Sequence, residues 1–95
     1  VKNVGDGNIC FKHPFGNERE ECAYFGLIPL GKDDNLRGKT HIATQNALLA
    51  VVKGANCYKL YENVKKGDKL TGPEREAEIS TSCIDISHVT YCGCP

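Results

Sequence analysis

The sequence predicts an α+β domain: a small disulfide-stapled antiparallel sheet with one long and one short helix packed on one face. Three observations predict it. Six cysteines (Cys10, Cys22, Cys57, Cys83, Cys92 and Cys94) are scattered through 95 residues, and an even count in so short a chain reads as three bridges. An unbroken apolar run at residues 47–52 follows a plausible helix cap at Thr40. Two runs, Cys57–Val64 and residues 88–94, have the length and aromatic or β-branched content of strands.

Size and charge set the frame. The length suits one domain, read as an exposed N-terminal arm over residues 1–9 and a single stapled domain over 10–95. A chain this short buries only about two-thirds of its unfolded surface. Bridges of roughly 2–4 kcal/mol each would therefore be a large part of a net stability of about 5–15 kcal/mol. Twelve basic and twelve acidic side chains cancel, so the basic face that nucleic-acid binding requires is missing. The densest basic stretch, residues 65–69, reads as a solvated turn. No apolar run is long enough to cross a bilayer. The chain starts at Val1 with no charged or apolar leader, as expected of a secreted, extracellular product whose signal peptide has been removed. No Asn-x-Ser/Thr acceptor for N-linked glycan occurs.

Along the chain, residues 8–13 predict a short strand carrying Cys10, ended by Pro14, Gly16 and Asn17. After the charged residues 18–21, the apolar run 22–30 predicts a core strand that Pro29 places at an edge or at the end of pairing. Residues 31–39 form a polar loop. The long helix runs over 40–53, with Thr40 as N-cap, Lys53 in the last turn and Gly54 as the left-handed stop. Cys57–Val64 is a strand with Tyr58, Leu60 and Val64 on one face and Lys59, Tyr61 and Asn63 on the other. A turn at 65–68 leads to a short strand at Lys69 and Leu70. Residues 73–85 predict the short helix, with Pro73 at its first position and acids in its first turn, although 79–86 also carry β-branched residues in loose alternation. A strand over 88–94 closes the chain.

Residues i and i+2 of a strand share a face about 6.5 Å apart, so Cys92 and Cys94 are expected to reach different partners. That leaves twelve of the fifteen possible pairings. A zinc site would show paired knuckles, but the one close pair is Cys92-Gly93-Cys94, and His13, His41 and His88 are far apart. Asp33, Asp34 and Asn35 suggest calcium, yet no glutamate closes a twelve-residue loop. Neither metal nor other cofactor is expected.

Fully paired cysteines leave no thiol nucleophile, and Ser80, Ser82 and Ser87 lack the Gly-x-Ser-x-Gly context of a nucleophile elbow. The chain therefore reads as a non-enzyme. One alternative is a small secreted ribonuclease-like enzyme, in which His13, His41 or His88 would act with Glu62 or Glu74 and Arg37 or Arg75. Another is a protease inhibitor presenting Arg37 or Lys39 from the 31–39 loop.

Taken in order, these elements resemble the small killer toxins of smut fungi called killer protein six, and the secreted fungal effectors thought to share their fold. The matching residues are Glu21-Cys22-Ala23-Tyr24 in the first core strand and Asn35-Leu36-Arg37 ahead of the helix with Thr44. Asn56-Cys57 open the next strand, Cys83 falls on the second helix, and Tyr91-Cys92 fall in the last strand. The resemblance spans residues 10–94. Two departures are that residues 40–53 lack the cysteine usual on the family's first helix, and that the first strand holds Cys22 alone. The resemblance implies a Cys22–Cys83 bridge, with Cys10 and Cys57 joined to Cys92 and Cys94 in either order. It also implies a monomeric toxin-like or virulence effector that binds an extracellular or host protein or a cell-surface target.

Overall fold

Residues 47–52 are apolar without interruption because they form a strand covered on both faces, and the fold is built around that strand. The computed structural model describes residues 2–3, 9–10, 18–54, 57–72 and 85–95. Its main sheet contains β1 (Lys2–Asn3), β2 (Ile9–Cys10), β3 (Ile28–Asp33), β5 (Ala47–Gly54), β6 (Cys57–Val64) and β8 (Ile86–Gly93). The order is β1-β6-β5-β8-β3, with β2 also on β6. Two further strands, β4 (Thr40–Ile42) and β7 (Lys69–Thr71), form a separate ribbon. All pairings are antiparallel. Among the described residues the one helix is α1 (Glu18–Ala23).

The predicted α+β arrangement is thus replaced by a mostly antiparallel β fold. The long helix over 40–53 is instead β4, a short connection and β5. The reason is geometric. Side chains alternate across a strand, so a strand covered on one face shows alternating polarity, whereas one covered on both is apolar throughout and matches an enclosed helix. Ala50 and Val52 pack with Tyr61, Val89 and Tyr91 on one face. Leu49 and Val51 pack with Tyr58, Leu60 and Cys92 on the other. Gly54 ends β5 opposite Cys57 and caps no helix. Residues 73–84 of the expected short helix lie outside the described residues.

The expected strand over 22–30 is also revised. Cys22 and Ala23 finish α1, and β3 starts only at Ile28. Glu18, Arg19, Glu20 and Glu21 are good helix formers. Gly26, at φ 76°, lets the chain reverse, with Gly26 N donating to Ala23 O at 2.9 Å and Leu27 N to Cys22 O at 3.0 Å. Where alternation is clean the prediction holds: β6, β7 and β8 lie where their sequences place them. Val64 is the exception within β6. Asn63 adopts φ 54°, and Val64 joins the Tyr61 face instead of the Tyr58 and Leu60 face. Of the strand expected over 8–13, Ile9 and Cys10 pair with β6, and 11–13 are outside the described residues.

Each sheet face carries its own cover. The β4–β7 ribbon lies on the Ala50–Val52 face, burying Leu70 and Ala43. Helix α1 and the turn after it lie on the Leu49–Val51 face, contributing Cys22, Phe25 and Leu27. The second cover is bonded covalently: Cys22 pairs with Cys92, with Cα atoms 5.5 Å apart and 70 residues between them in sequence. The Cys22–Cys83 bridge implied by the family resemblance is therefore replaced by Cys22–Cys92, because Cys22 rests on β8 itself. Cys83 lies outside the described residues. Cys94 is exposed and free, and Cys10 stands opposite Cys57 in the β2–β6 backbone register.

Replacing Cys22 and Cys92 together with alanine is expected to lower the unfolding free energy by roughly 2–4 kcal/mol, measured by urea titration of the oxidised protein.

Candidate functional site

Because the strands are antiparallel, the starts of β3 and β5 share one end of the sheet with the ends of β6 and β8. The opposite end holds the end of β3, the start of β8 and the β3–β4 loop. Polar chemistry collects at the second end, and exposed apolar side chains collect at the first.

At the polar end, two histidine–carboxylate networks hold the two covers. On the helix face, Glu21 is 2% exposed and meets His88 Nε2 through Oε2 at 2.8 Å. Its Oε1 accepts from Thr90 Oγ1 at 2.5 Å. A carboxylate this buried is tolerable because both oxygens are satisfied. On the ribbon face, Asp33 Oδ2 meets His41 Nε2 at 2.7 Å and accepts from Tyr91 OH at 2.7 Å. Thr44 Oγ1 reaches both Asp33 oxygens at 2.8 and 3.0 Å, and Thr44 N donates to Tyr91 OH at 3.2 Å. Burial works against ionisation of Asp33. The hydrogen bonds from Tyr91, His41 and Thr44, together with the charge of His41, outweigh it and hold the carboxyl below its ordinary range. Burial, and then donation to Asp33, push the Tyr91 phenol above its ordinary value.

The β3–β4 loop is stitched to β8 at two points: Leu36 N donates to Ser87 O at 3.1 Å, and Ile86 N donates to Gly38 O at 2.8 Å. Asn35 turns the chain with φ 55°, and its N donates to Asp34 Oδ1 at 3.0 Å. Loop and strand together enclose an open recess of about 490 Å³ whose walls include Arg37, Ser87 and His88.

Of the residues weighed for acid–base chemistry, the structure therefore brings Arg37 and His88 together, with Glu21 behind the imidazole. It separates Glu62 from them: Glu62 lies opposite Leu49, which also faces Cys92, four residues or about 13 Å along β8 from His88. His41 is engaged by Asp33. His13, Glu74 and Arg75 lie outside the described residues. Lys39, offered with Arg37 as an inhibitor contact, is exposed, and its carbonyl accepts from Gly72 N at 2.9 Å. Sequence reasoning missed Glu21 as a partner of His88, noting residues 18–21 only as charged and placing Glu21 at the start of a core strand. The available signal was helical spacing, which puts Glu21, Cys22 and Phe25 on one side of a turn.

At the apolar end, Ile28, Leu30 and Leu48 are 42%, 49% and 44% exposed. Leu30 and Leu48 flank a groove of about 410 Å³ that also includes Ala47, Val64, Gly93 and Cys94. Leu30 lies so close over Gly93 that a Cβ there would sit 2.6 Å from Leu30 Cδ1. Leu48 also walls a smaller hollow of about 300 Å³ with Phe25, Leu27 and Leu49.

No known protein family matches the chain, and no curated protein or solved structure matches it. No helix among the described residues is long and apolar enough to cross a membrane.

Two outcomes follow from the networks. Glu21→Ala removes the acceptor for His88 and Thr90 and is expected to cost roughly 1–3 kcal/mol in denaturant unfolding. Asp33, with its folded pKa lowered, contributes stability that is present above its unfolded pKa, about 3.9, and is lost as pH falls through the folded value. Asp33→Asn is therefore expected to lower the urea midpoint at neutral pH. Its difference from the native protein should shrink in acid; a gap of constant size across that range would count against this assignment.

Proposed function

We propose that this chain is a secreted, toxin-like effector that acts by binding a protein on a host or competitor cell, and that the apolar end of its sheet makes the contact. The observation that carries this reading is the pair of exposed leucines, Leu30 and Leu48, flanking one groove, with Ile28 exposed two residues along β3. Single exposed aliphatic residues are ordinary, but several at one end of a sheet, two of them flanking a hollow, are characteristic of protein contact surfaces. Two features support it. The groove borders β3, the edge of the main sheet, so an extended segment of the partner has backbone groups to pair with as well as side-chain pockets. The Cys22–Cys92 bridge fits an oxidising compartment and holds the helix cover rigid beside the groove. The partner this chemistry fits is an extended, apolar peptide segment of the target.

The test is a growth-inhibition or tissue-response assay on candidate target cells, using oxidised protein. Leu30→Asp with Leu48→Asp is expected to abolish the response while leaving the circular dichroism spectrum and urea midpoint near native. Lys69→Ala, on the exposed side of the ribbon, should keep full potency. Loss of response in both variants, or in neither, would reject the apolar end as the contact.

A further inference from the structure

The recess at the opposite end of the sheet is not used by the groove, and its chemistry is different. We propose that it is a phosphate-binding site, taking inorganic phosphate or the terminal phosphate of a small monoester.

The argument starts from Arg37. Its guanidinium lies in the rim, exposed, and makes no hydrogen bond or ion pair with a described residue. A planar fork of donors without an acid partner is suited to the oxygens of an oxyanion. Its position is set by its neighbour: Leu36 is half-buried against the ribbon-side core, and the Leu36 N to Ser87 O bond ties the loop to β8. The guanidinium therefore projects from an anchored backbone.

The facing wall is also fixed. His88 is held through Nε2 by the buried carboxylate of Glu21, which leaves Nδ1 with no partner among the described residues. An imidazole braced by a buried acid keeps one ring orientation. Ser87 adds a hydroxyl whose one described bond, to Lys53 O, is a long 3.3 Å, so it can turn toward a better acceptor. Asn35 adds a side-chain amide on the loop side. The single acid in the wall, Asp34, opposes an anion, but it accepts from Asn35 N at 3.0 Å and faces Lys32 Nζ at 3.7 Å, so its charge is largely offset where it stands.

Ligand class follows from donor number and from charge. Arg37, Asn35 and Ser87 offer donors from both sides of the recess, more than the two oxygens of a carboxylate can use. A tetrahedral phosphate has enough acceptors, directed widely enough, to meet them. A polynucleotide would need a track of cations along its backbone. Among the described residues Arg37 is the one lysine or arginine lining the recess, on a chain with no net charge.

The test is a titration of the oxidised, ¹⁵N-labelled full chain, following backbone amides by NMR at constant ionic strength. The probes are inorganic phosphate, phenyl phosphate, acetate and a dinucleoside monophosphate. Phosphate and phenyl phosphate should give saturable shifts at millimolar concentration, centred on Asn35, Arg37, Ser87 and His88. Arg37→Ala, an exposed and foldable change, should weaken both by about tenfold, and Asp34→Asn should tighten them. Acetate should leave these amides in place. The proposal is overturned by the absence of saturable shifts or by equal binding in Arg37→Ala. It is equally overturned if acetate acts as phosphate does, or if only the dinucleotide binds.

Discussion

Strand β8 is fastened on both of its faces, and the two covering layers depend on it. One set of alternating side chains, His88, Thr90 and Cys92, meets α1 through two hydrogen bonds to Glu21 and one covalent bond to Cys22. The other set, Val89 and Tyr91, meets the ribbon side through apolar packing and through the phenol that donates to Asp33. A six-residue helix and a ribbon of two three-residue strands have little stability of their own. They persist because β8 presents a matching row of anchors to each. The same strand joins β5 to β3, so its alternation organises the sheet and its covers together.

What the sequence made legible follows from which physical signals are local. β6 and β8 showed because their polarity alternates or their β-branched content is high. The 65–68 turn showed because Gly67, at φ 97°, and Asp68, whose Oδ2 accepts from Lys65 N at 2.8 Å, are turn residues acting at short range. β5 was hidden because burial on both faces erases the period that separates strand from helix. α1 was hidden because its inward residues are a glutamate and a cysteine, not a hydrophobic stripe. The partnership of His88 with Glu21 spans 67 residues of chain, and that of Tyr91 with Asp33 spans 58. No local pattern announces such pairs. Of the candidate site, Arg37 and His88 were each visible among several candidates, but their closeness and the Glu21 carboxylate behind the imidazole were not.

The molecule separates its surface chemistry by sheet end. Histidine, carboxylate and guanidinium groups gather where β3 ends and β8 begins, while aliphatic side chains gather where β3 begins and β8 ends. Two antiparallel neighbours suffice to produce this, since their opposite termini meet at each end. Ile28 and Asp33 are the two ends of one strand, so the apolar groove and the polar recess are held at a fixed separation by the same edge.

Connectivity also governs the order in which this sheet can assemble. The hairpin of β5 and β6 is local and can form as soon as those residues meet. β3 is different. It precedes β5 in the chain, yet its neighbour in the sheet is β8, which follows β6. Until β8 has left the ribosome, β3 has no seat beside β5, and Cys22 has no Cys92 to bond. The edge strand and the helix cover are therefore late events in synthesis, however early their residues appear. A chain released before β8 emerges would keep the hairpin and lose both layers, leaving the apolar faces of β5 open to whatever the cell supplies to cover them.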